Sequence, residues 1–153
     1  MDDRMFFEQA LDLAIEQEQA AADFYTQQAE RAATPALRGI FQGFAKEERA
    51  HKAKLEFIKS IGEMRPVSEQ WRDLKPADRP GSVLPPNEPS DHDALIWAMR
   101  KEKLAFKLFS AFAELAPNDA LRAAFSTLAF EEANHKLRFE IACDDFGESE
   151  SKG

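Results

Sequence analysis

The sequence predicts an all-α protein, an antiparallel four-helix bundle made of two duplicated helical hairpins with a long crossover between helices 2 and 3. Four long segments rich in Ala, Leu, Glu and Gln carry apolar residues at steps of three and four, as helices with one buried face do. Residues 63–91 hold six of the eight prolines and separate the segments into two pairs. The chain also contains an internal repeat, in which three pairs of identical residues are each 84 positions apart: Glu18 and Glu102, Glu48 and Glu132, and His51 and His135.

The first hairpin is predicted from two uninterrupted segments. Helix 1 covers about residues 4–33, where neither Gly nor Pro occurs. Thr34 and Pro35 then give an N-cap followed by proline at the first helical position, which is a common helix start. Helix 2 continues to about residue 61, where Gly62 is a suitable stop.

The second hairpin follows the same plan. Helix 3 is predicted to begin after Ser90 or Asp91 and to run to about Ala116, before Pro117. Asn118 occupies the position equivalent to Thr34 and is the expected cap of helix 4, which is predicted over about 119–145, before Gly147. The polar residues 148–153 are expected to form a disordered tail.

The length of 153 residues fits one domain, predicted over residues 1–147. The net charge of −8 excludes nucleic acid as an expected partner. Cys143 is the only cysteine, so a disulfide framework is not expected. The amino terminus has no signal-peptide pattern and no apolar run reaches membrane-spanning length, which predicts a cytoplasmic protein without a membrane partner.

Both copies of Glu-x-x-His lie within apolar stripes that should face the core, and so do the two partner glutamates. Four carboxylates in an apolar core are heavily penalised unless cations accompany them, and Lys and Arg fall mostly off these stripes. Two divalent metal ions would balance the four charges. The mixed oxygen and nitrogen donors favour iron or manganese over calcium, with zinc as a substitute. The predicted ligands are Glu18, Glu48, His51, Glu102, Glu132 and His135.

A plainer alternative stays open. A single Glu-x-x-His on a helix is usually part of a solvated face, and a duplicated bundle can retain the residues of a site that no longer binds metal. That alternative requires an uncompensated cluster of buried charge, which is why the metal site is preferred.

These motifs resemble the ferritin-like superfamily, and most closely a rubrerythrin-type domain, over about residues 4–146. The resemblance implies two irons that react, when ferrous, with hydrogen peroxide or dioxygen. It implies that Glu48 and Glu132 bridge the irons, that Glu18 and Glu102 are terminal ligands, and that His51 and His135 each complete one iron. Tyr25 would lie beside the site as a hydrogen-bond donor to a ligand or as a shield, and is the candidate catalytic residue; a core aromatic is the equally consistent alternative.

Two departures from rubrerythrins, and two differences from cage-forming bacterioferritins, affect the expected function. One cysteine cannot form the four-cysteine rubredoxin site of rubrerythrins, so a separate electron donor is expected. Met99 and Ala105 stand where rubrerythrins carry an additional Glu, and Arg49 stands where bacterioferritins carry the haem-binding Met. No fifth helix is evident, which favours a homodimer over a storage cage.

The preferred function is therefore a non-haem di-iron oxidoreductase that reduces peroxide or dioxygen. Iron handling, by oxidation and then storage or transfer, is the alternative, and a metal-binding module without turnover is a third. Five phenylalanines are expected to exclude water from the site: Phe41, Phe44, Phe106, Phe109 and Phe125.

Overall fold

The computed structural model describes residues 3–61, 87–116 and 118–152, with side chains described for 8–60, 87–116 and 118–144. These ranges contain four α-helices and no β-strand, which confirms the predicted all-α bundle of two hairpins. Residues 62–86, which include most of the predicted crossover, lie outside the described part. The helices are α1 (Asp3–Arg31), α2 (Pro35–Ile61), α3 (Asp91–Leu115) and α4 (Asp119–Lys152).

The predicted caps begin the helices as expected. The backbone N–H of Leu37 donates to Thr34 Oγ1 at 3.1 Å, and that of Leu121 donates to Asn118 Oδ1 at 2.9 Å. Both bonds satisfy an N–H that the first helical turn would otherwise leave without a partner. The hairpin repeat therefore extends to the way in which its second helix starts.

The predicted end of α4 was wrong, because the helix passes through Gly147 and ends at Lys152. A glycine inside a helix costs only about 1 kcal/mol relative to alanine, which the surrounding good helix formers, including Glu148 and Glu150, offset. Residues 148–152, predicted as a disordered tail, belong to this helix.

Each hairpin packs along its own length, α1 against α2 and α3 against α4. Two apolar clusters fill the interior at opposite ends of the bundle. One contains Leu11, Leu55, Leu108, Phe112 and Phe125. The other contains Tyr25, Phe41, Phe44, Leu95 and Phe139. Along every helix the buried residues between these clusters are polar, so the apolar core is interrupted by one buried polar layer.

The buried face of α3 differs from the predicted one. Phe106, expected in the core, is 40% exposed, whereas Phe41, Phe44, Phe109 and Phe125 are buried as predicted. The helix is turned so that a second row of side chains also faces inward. That row is Ala94, Ala98, Lys101, Ala105, Leu108 and Phe112.

No helix in the described ranges combines the length and the apolar character needed to cross a membrane.

Candidate metal centre

All six predicted ligands lie in the polar layer. Each of them is buried, and their donor atoms form two groups in which all atoms lie within 4.8 Å of one another. We define the first half-site as Glu18, Glu48, His51 and Glu132, and the second half-site as Glu48, Glu102, Glu132 and His135. Glu48 and Glu132 belong to both, which is the arrangement expected of two carboxylates that bridge a pair of ions.

The two histidines present the same ring atom to this layer. His51 Nδ1 lies 2.8 Å from Glu132 Oε1 and 3.6 Å from Glu48 Oε2. His135 Nδ1 lies 3.5 Å from both Glu48 Oε1 and Glu102 Oε2. The imidazole rings are nearly parallel, with centroids 5.5 Å apart. Nδ1 is therefore the nitrogen that each ring offers to a cation.

The outer nitrogen of each ring is held by a carboxylate from the opposite hairpin. His51 Nε2 lies 2.6 Å from Glu131 Oε2, and His135 Nε2 contacts Glu47 Oε2. A carboxylate on the outer nitrogen fixes the orientation of the ring and makes it a better metal ligand. Glu47 and Glu131 thus complete a reciprocal link between α2 and α4.

Loss of these outer carboxylates is expected to weaken metal binding without removing a ligand. Glu47→Gln and Glu131→Gln should each lower Mn(II) affinity roughly 10- to 100-fold, because the imidazole loses its charged partner. A competition titration with a chelating dye measures the effect. Glu30→Gln, a change of an exposed carboxylate, is the control, and affinities equal to the control would exclude the orienting role.

Without a metal ion, the layer holds its charges by mutual pairing. Burial disfavours the imidazolium form of His51, but hydrogen bonds to Glu132 and Glu48 outweigh it and raise the pKa to about 10. Burial likewise opposes ionisation of Glu48, yet the charge of Lys101 and the nearby imidazoles of His135 and His51 hold its pKa well below the usual range. Glu48 is therefore a carboxylate and His51 an imidazolium in the metal-free protein at neutral pH.

Lys101 corrects the expectation that no basic side chain faces the carboxylates. It is only 4% exposed, and its ammonium donates to Glu48 Oε2 at 2.9 Å and to both oxygens of Glu18 at 3.2 Å. The same Nζ lies 3.7 Å from Glu132 Oε2. Burial opposes its charge, but Glu132 and Glu48 raise its pKa above the ordinary value, so Lys101 is protonated.

The second half-site has donors with room for a cation. One atom from each of its residues is buried and has no hydrogen-bond partner in the described part of the chain: Glu48 Oε1, Glu102 Oε2, Glu132 Oε2 and His135 Nδ1. Buried carboxylate oxygens without partners are costly, and a bound cation would remove that cost. Three carboxylates and one imidazole also suit a divalent transition metal. The residues present therefore fit the predicted ion.

Tyr25 lies beside the second half-site, as a hydrogen-bond donor to one of its carboxylates. Its hydroxyl donates to Glu102 Oε1 at 2.9 Å. Burial raises the pKa of Tyr25 above its ordinary value, so the phenol keeps its proton and remains a donor. Its ring packs against Phe139, with centroids 5.5 Å apart, and against Phe41. Tyr25 is both a core aromatic and a partner of Glu102.

A cavity of about 260 Å³ between α2 and α4 reaches the outer edges of both imidazoles. The carboxylates of Glu47 and Glu131 are about half exposed there, whereas the ligands beneath are buried. This cavity places solvent-accessible carboxylates directly outside the metal layer. Its lining is Glu47, Ala50, His51, Glu131, Asn134, His135 and Arg138.

Three residues of the layer were missed by sequence reasoning. Glu47 and Glu131 lie about 100° around their helices from Glu48 and Glu132, away from the centre of the apolar stripes, although they also repeat after 84 residues. Lys101 adjoins Glu102 and falls in a row of otherwise apolar residues at steps of three and four. That periodic row was the signal that it faces inward.

Comparison with known protein families gives a match over the first half of the chain. The rubrerythrin family model matches residues 9–81, which include α2 and most of α1 and carry Glu18, Tyr25, Glu48 and His51. No curated protein and no solved structure matches the chain. The family match agrees with the four-helix fold and supports a rubrerythrin-type ferritin-like domain.

Proposed function

We propose that this rubrerythrin-type ferritin-like domain is a non-haem di-iron oxidoreductase that reduces hydrogen peroxide or dioxygen at the expense of Fe(II). The observation that carries the proposal is the pair of half-sites that share Glu48 and Glu132. These residues would hold two ferrous ions, which would supply the two electrons that, with two protons, convert hydrogen peroxide to two waters.

The protein's own residues hold and shield such a pair of ions. Glu48 and Glu132 lie within reach of both positions, whereas Glu18 and Glu102 each serve one. The apolar clusters on either side of the layer keep bulk water away from it, which strengthens electrostatic interactions within the site and limits side reactions.

Stopped-flow absorbance tests the proposal. Protein loaded anaerobically with Fe(II) is mixed with hydrogen peroxide or, separately, with air-saturated buffer. The double variant Glu48→Ala, Glu132→Ala is the site control. The proposal expects fast oxidation by peroxide that stops at two irons per chain and is absent from the site control. Rates equal to those of the site control would contradict it.

Iron handling is the second candidate, and one observation favours it. Among the described residues, no additional carboxylate stands one turn from Glu102, where Met99 and Ala105 are found, and six ligands without it resemble a ferroxidase set. This candidate expects oxidation that is faster with dioxygen and continues well beyond two irons per chain in the same experiment.

Tyr25→Phe is expected to slow iron oxidation while leaving the ion count unchanged. The change removes the hydrogen bond to Glu102 Oε1 but keeps the ring within its aromatic cluster. A buried carboxylate oxygen without that hydrogen bond costs about 1–3 kcal/mol. The carboxylate of Glu102 should therefore shift toward the ion, because the hydrogen bond that fixes its orientation is absent. Metal analysis and stopped-flow rates on one preparation measure both properties. Loss of iron, or an unchanged rate, would contradict a positioning role.

The expected partners remain proposals. We propose that electrons come from a donor outside residues 1–153, since Cys143 is the only cysteine in this stretch. We also propose a cytoplasmic homodimer. Light scattering during gel filtration would give the mass of the assembly, and a mass of many chains would instead favour a storage cage.

A further inference from the structure

We propose that the ammonium of Lys101 occupies the first half-site in the metal-free protein. The chain therefore binds one divalent ion at the second half-site first, and it binds the other ion at the first half-site only when the ammonium moves away. This inference rests on the proposed metal centre and adds an order of loading that the duplicated ligands alone do not imply.

The closest contacts of Lys101 lie toward the first half-site. Its Nζ donates to Glu18 and Glu48 at 2.9–3.2 Å, and Glu132 is 3.7 Å away. All three carboxylates belong to the first half-site, but Glu48 and Glu132 belong to the second as well, so Glu18 is the contact that distinguishes the two. Glu102, which belongs only to the second, is the most distant of the four carboxylates, at 3.9 Å. The ammonium thus stands where an ion of the first half-site would bind.

The unpartnered atoms are found on the other side. Every residue of the second half-site contributes one buried donor without a hydrogen-bond partner among the described residues. Neither Glu18 nor His51 contributes such an atom. A cation entering the second half-site meets donors that are free to bind it, whereas a cation entering the first must displace an ammonium from Glu18 and Glu48.

Charge balance makes the two states exclusive. Two divalent ions neutralise four carboxylates, and an ammonium retained among them would leave an excess positive charge in a buried layer. The ammonium and a metal ion bound to the same carboxylates would repel each other strongly, because little water screens the two positive charges in a buried layer. The second ion and the Lys101 ammonium therefore compete for the same carboxylates.

The internal repeat identifies Lys101 as the asymmetric element. Each candidate ligand of the first hairpin has an identical counterpart 84 residues later in the second, and Glu47 likewise corresponds to Glu131. Lys101 has no such match, because its counterpart is the uncharged Gln17. The two half-sites are therefore built from matching ligand residues, and Lys101 is a charged residue of the layer that one hairpin has and the other lacks. Lys101→Gln gives both hairpins the same residue and is the matched test variant.

Titration of metal-free protein with Mn(II), followed by the electron paramagnetic resonance signal of the free ion, tests the inference. The unchanged chain is expected to bind two ions in separate steps. In Lys101→Gln the second step should tighten on the order of 100-fold, bringing the two affinities together. Lys103→Gln, a change of an exposed neighbour, should titrate like the unchanged chain. Equal steps in the unchanged chain, or unaltered steps in Lys101→Gln, would overturn the inference.

Thermal melting distinguishes this role from a purely structural one. Metal-free Lys101→Gln should melt at a lower temperature than the unchanged chain, because four carboxylates lose their cation. At saturating Mn(II) this difference should vanish or reverse, because the ions replace the ammonium. If Lys101→Gln still melts at a lower temperature than the unchanged chain when metal is bound, Lys101 merely supports the fold.

Two further variants keep the test valid if Lys101→Gln does not fold. Glu102→Gln should weaken the tighter step, since Glu102 serves only the second half-site, and Glu18→Gln should weaken only the looser one. The opposite pattern would overturn the order of loading. Absence of Mn(II) binding in every protein, the unchanged chain included, would overturn the metal centre itself, a result distinct from equal steps.

Discussion

The double variant Glu48→Ala, Glu132→Ala is expected to lose both metal ions. Each carboxylate belongs to both half-sites, so their removal leaves one Glu and one His for each position. Two ligands cannot hold a divalent ion against water at micromolar concentrations in a layer that needs four. Metal analysis after Fe(II) loading and desalting should therefore fall from two ions per chain to nearly none, and peroxide-dependent oxidation should disappear.

Glu30→Ala, Glu114→Ala is the matched control for that result. These glutamates are also related by the 84-residue repeat and also lie on α1 or α3, but both are exposed. The control should retain two ions and the full oxidation rate. Retention of metal by the Glu48, Glu132 variant would mean that the buried carboxylates are not the site.

Phe139→Ala is expected to give the largest loss of fold stability. Phe139 is completely buried, with its ring centroid 4.2 Å from that of Phe44 and 5.5 Å from that of Tyr25. Replacing it should lower the free energy of unfolding by about 3–5 kcal/mol, because apolar contact is lost and a cavity remains. Urea unfolding of the metal-free protein, followed by circular dichroism, measures this change.

Phe130 supplies the control on the same helix. It is 69% exposed, so Phe130→Ala should change the free energy of unfolding by no more than about 0.5 kcal/mol. Similar losses for the two variants would mean that the inward face of α4 is wrongly assigned. The same error would also displace Glu132 and His135, which share that face.

The burial of the six candidate ligands and the starts of the helices could be predicted because both follow from local patterns. Glu48 and His51 continue an apolar stripe at steps of three and four, and Thr34 and Asn118 precede helical segments as caps do. Each assignment needs only the sequence of one helix, and the repeat confirms it from a second copy. The predicted fold class and the gathering of the six ligands followed from these patterns.

Lys101 could not be placed in the same way. A lysine between apolar residues is ordinarily turned to solvent, because burying an unpaired ammonium is costly. Its burial becomes favourable only beside Glu18 and Glu48, which lie on other helices. The contacts of Glu47 and Glu131 likewise depend on the spacing between α2 and α4, and the sequence of one helix does not contain that distance.

The pairing of Lys101 with Gln17 has a consequence for symmetry. An assembly of two identical hairpins would carry the same side chain at both of these positions, as two ammonium groups or as none. When the two hairpins are joined in one chain, each can mutate independently. One hairpin can then carry an ammonium that the other lacks, whereas two identical hairpins would carry two ammonium groups or none. The single polypeptide thus makes possible a metal layer whose ligands keep an approximate twofold arrangement while its two ends differ in charge.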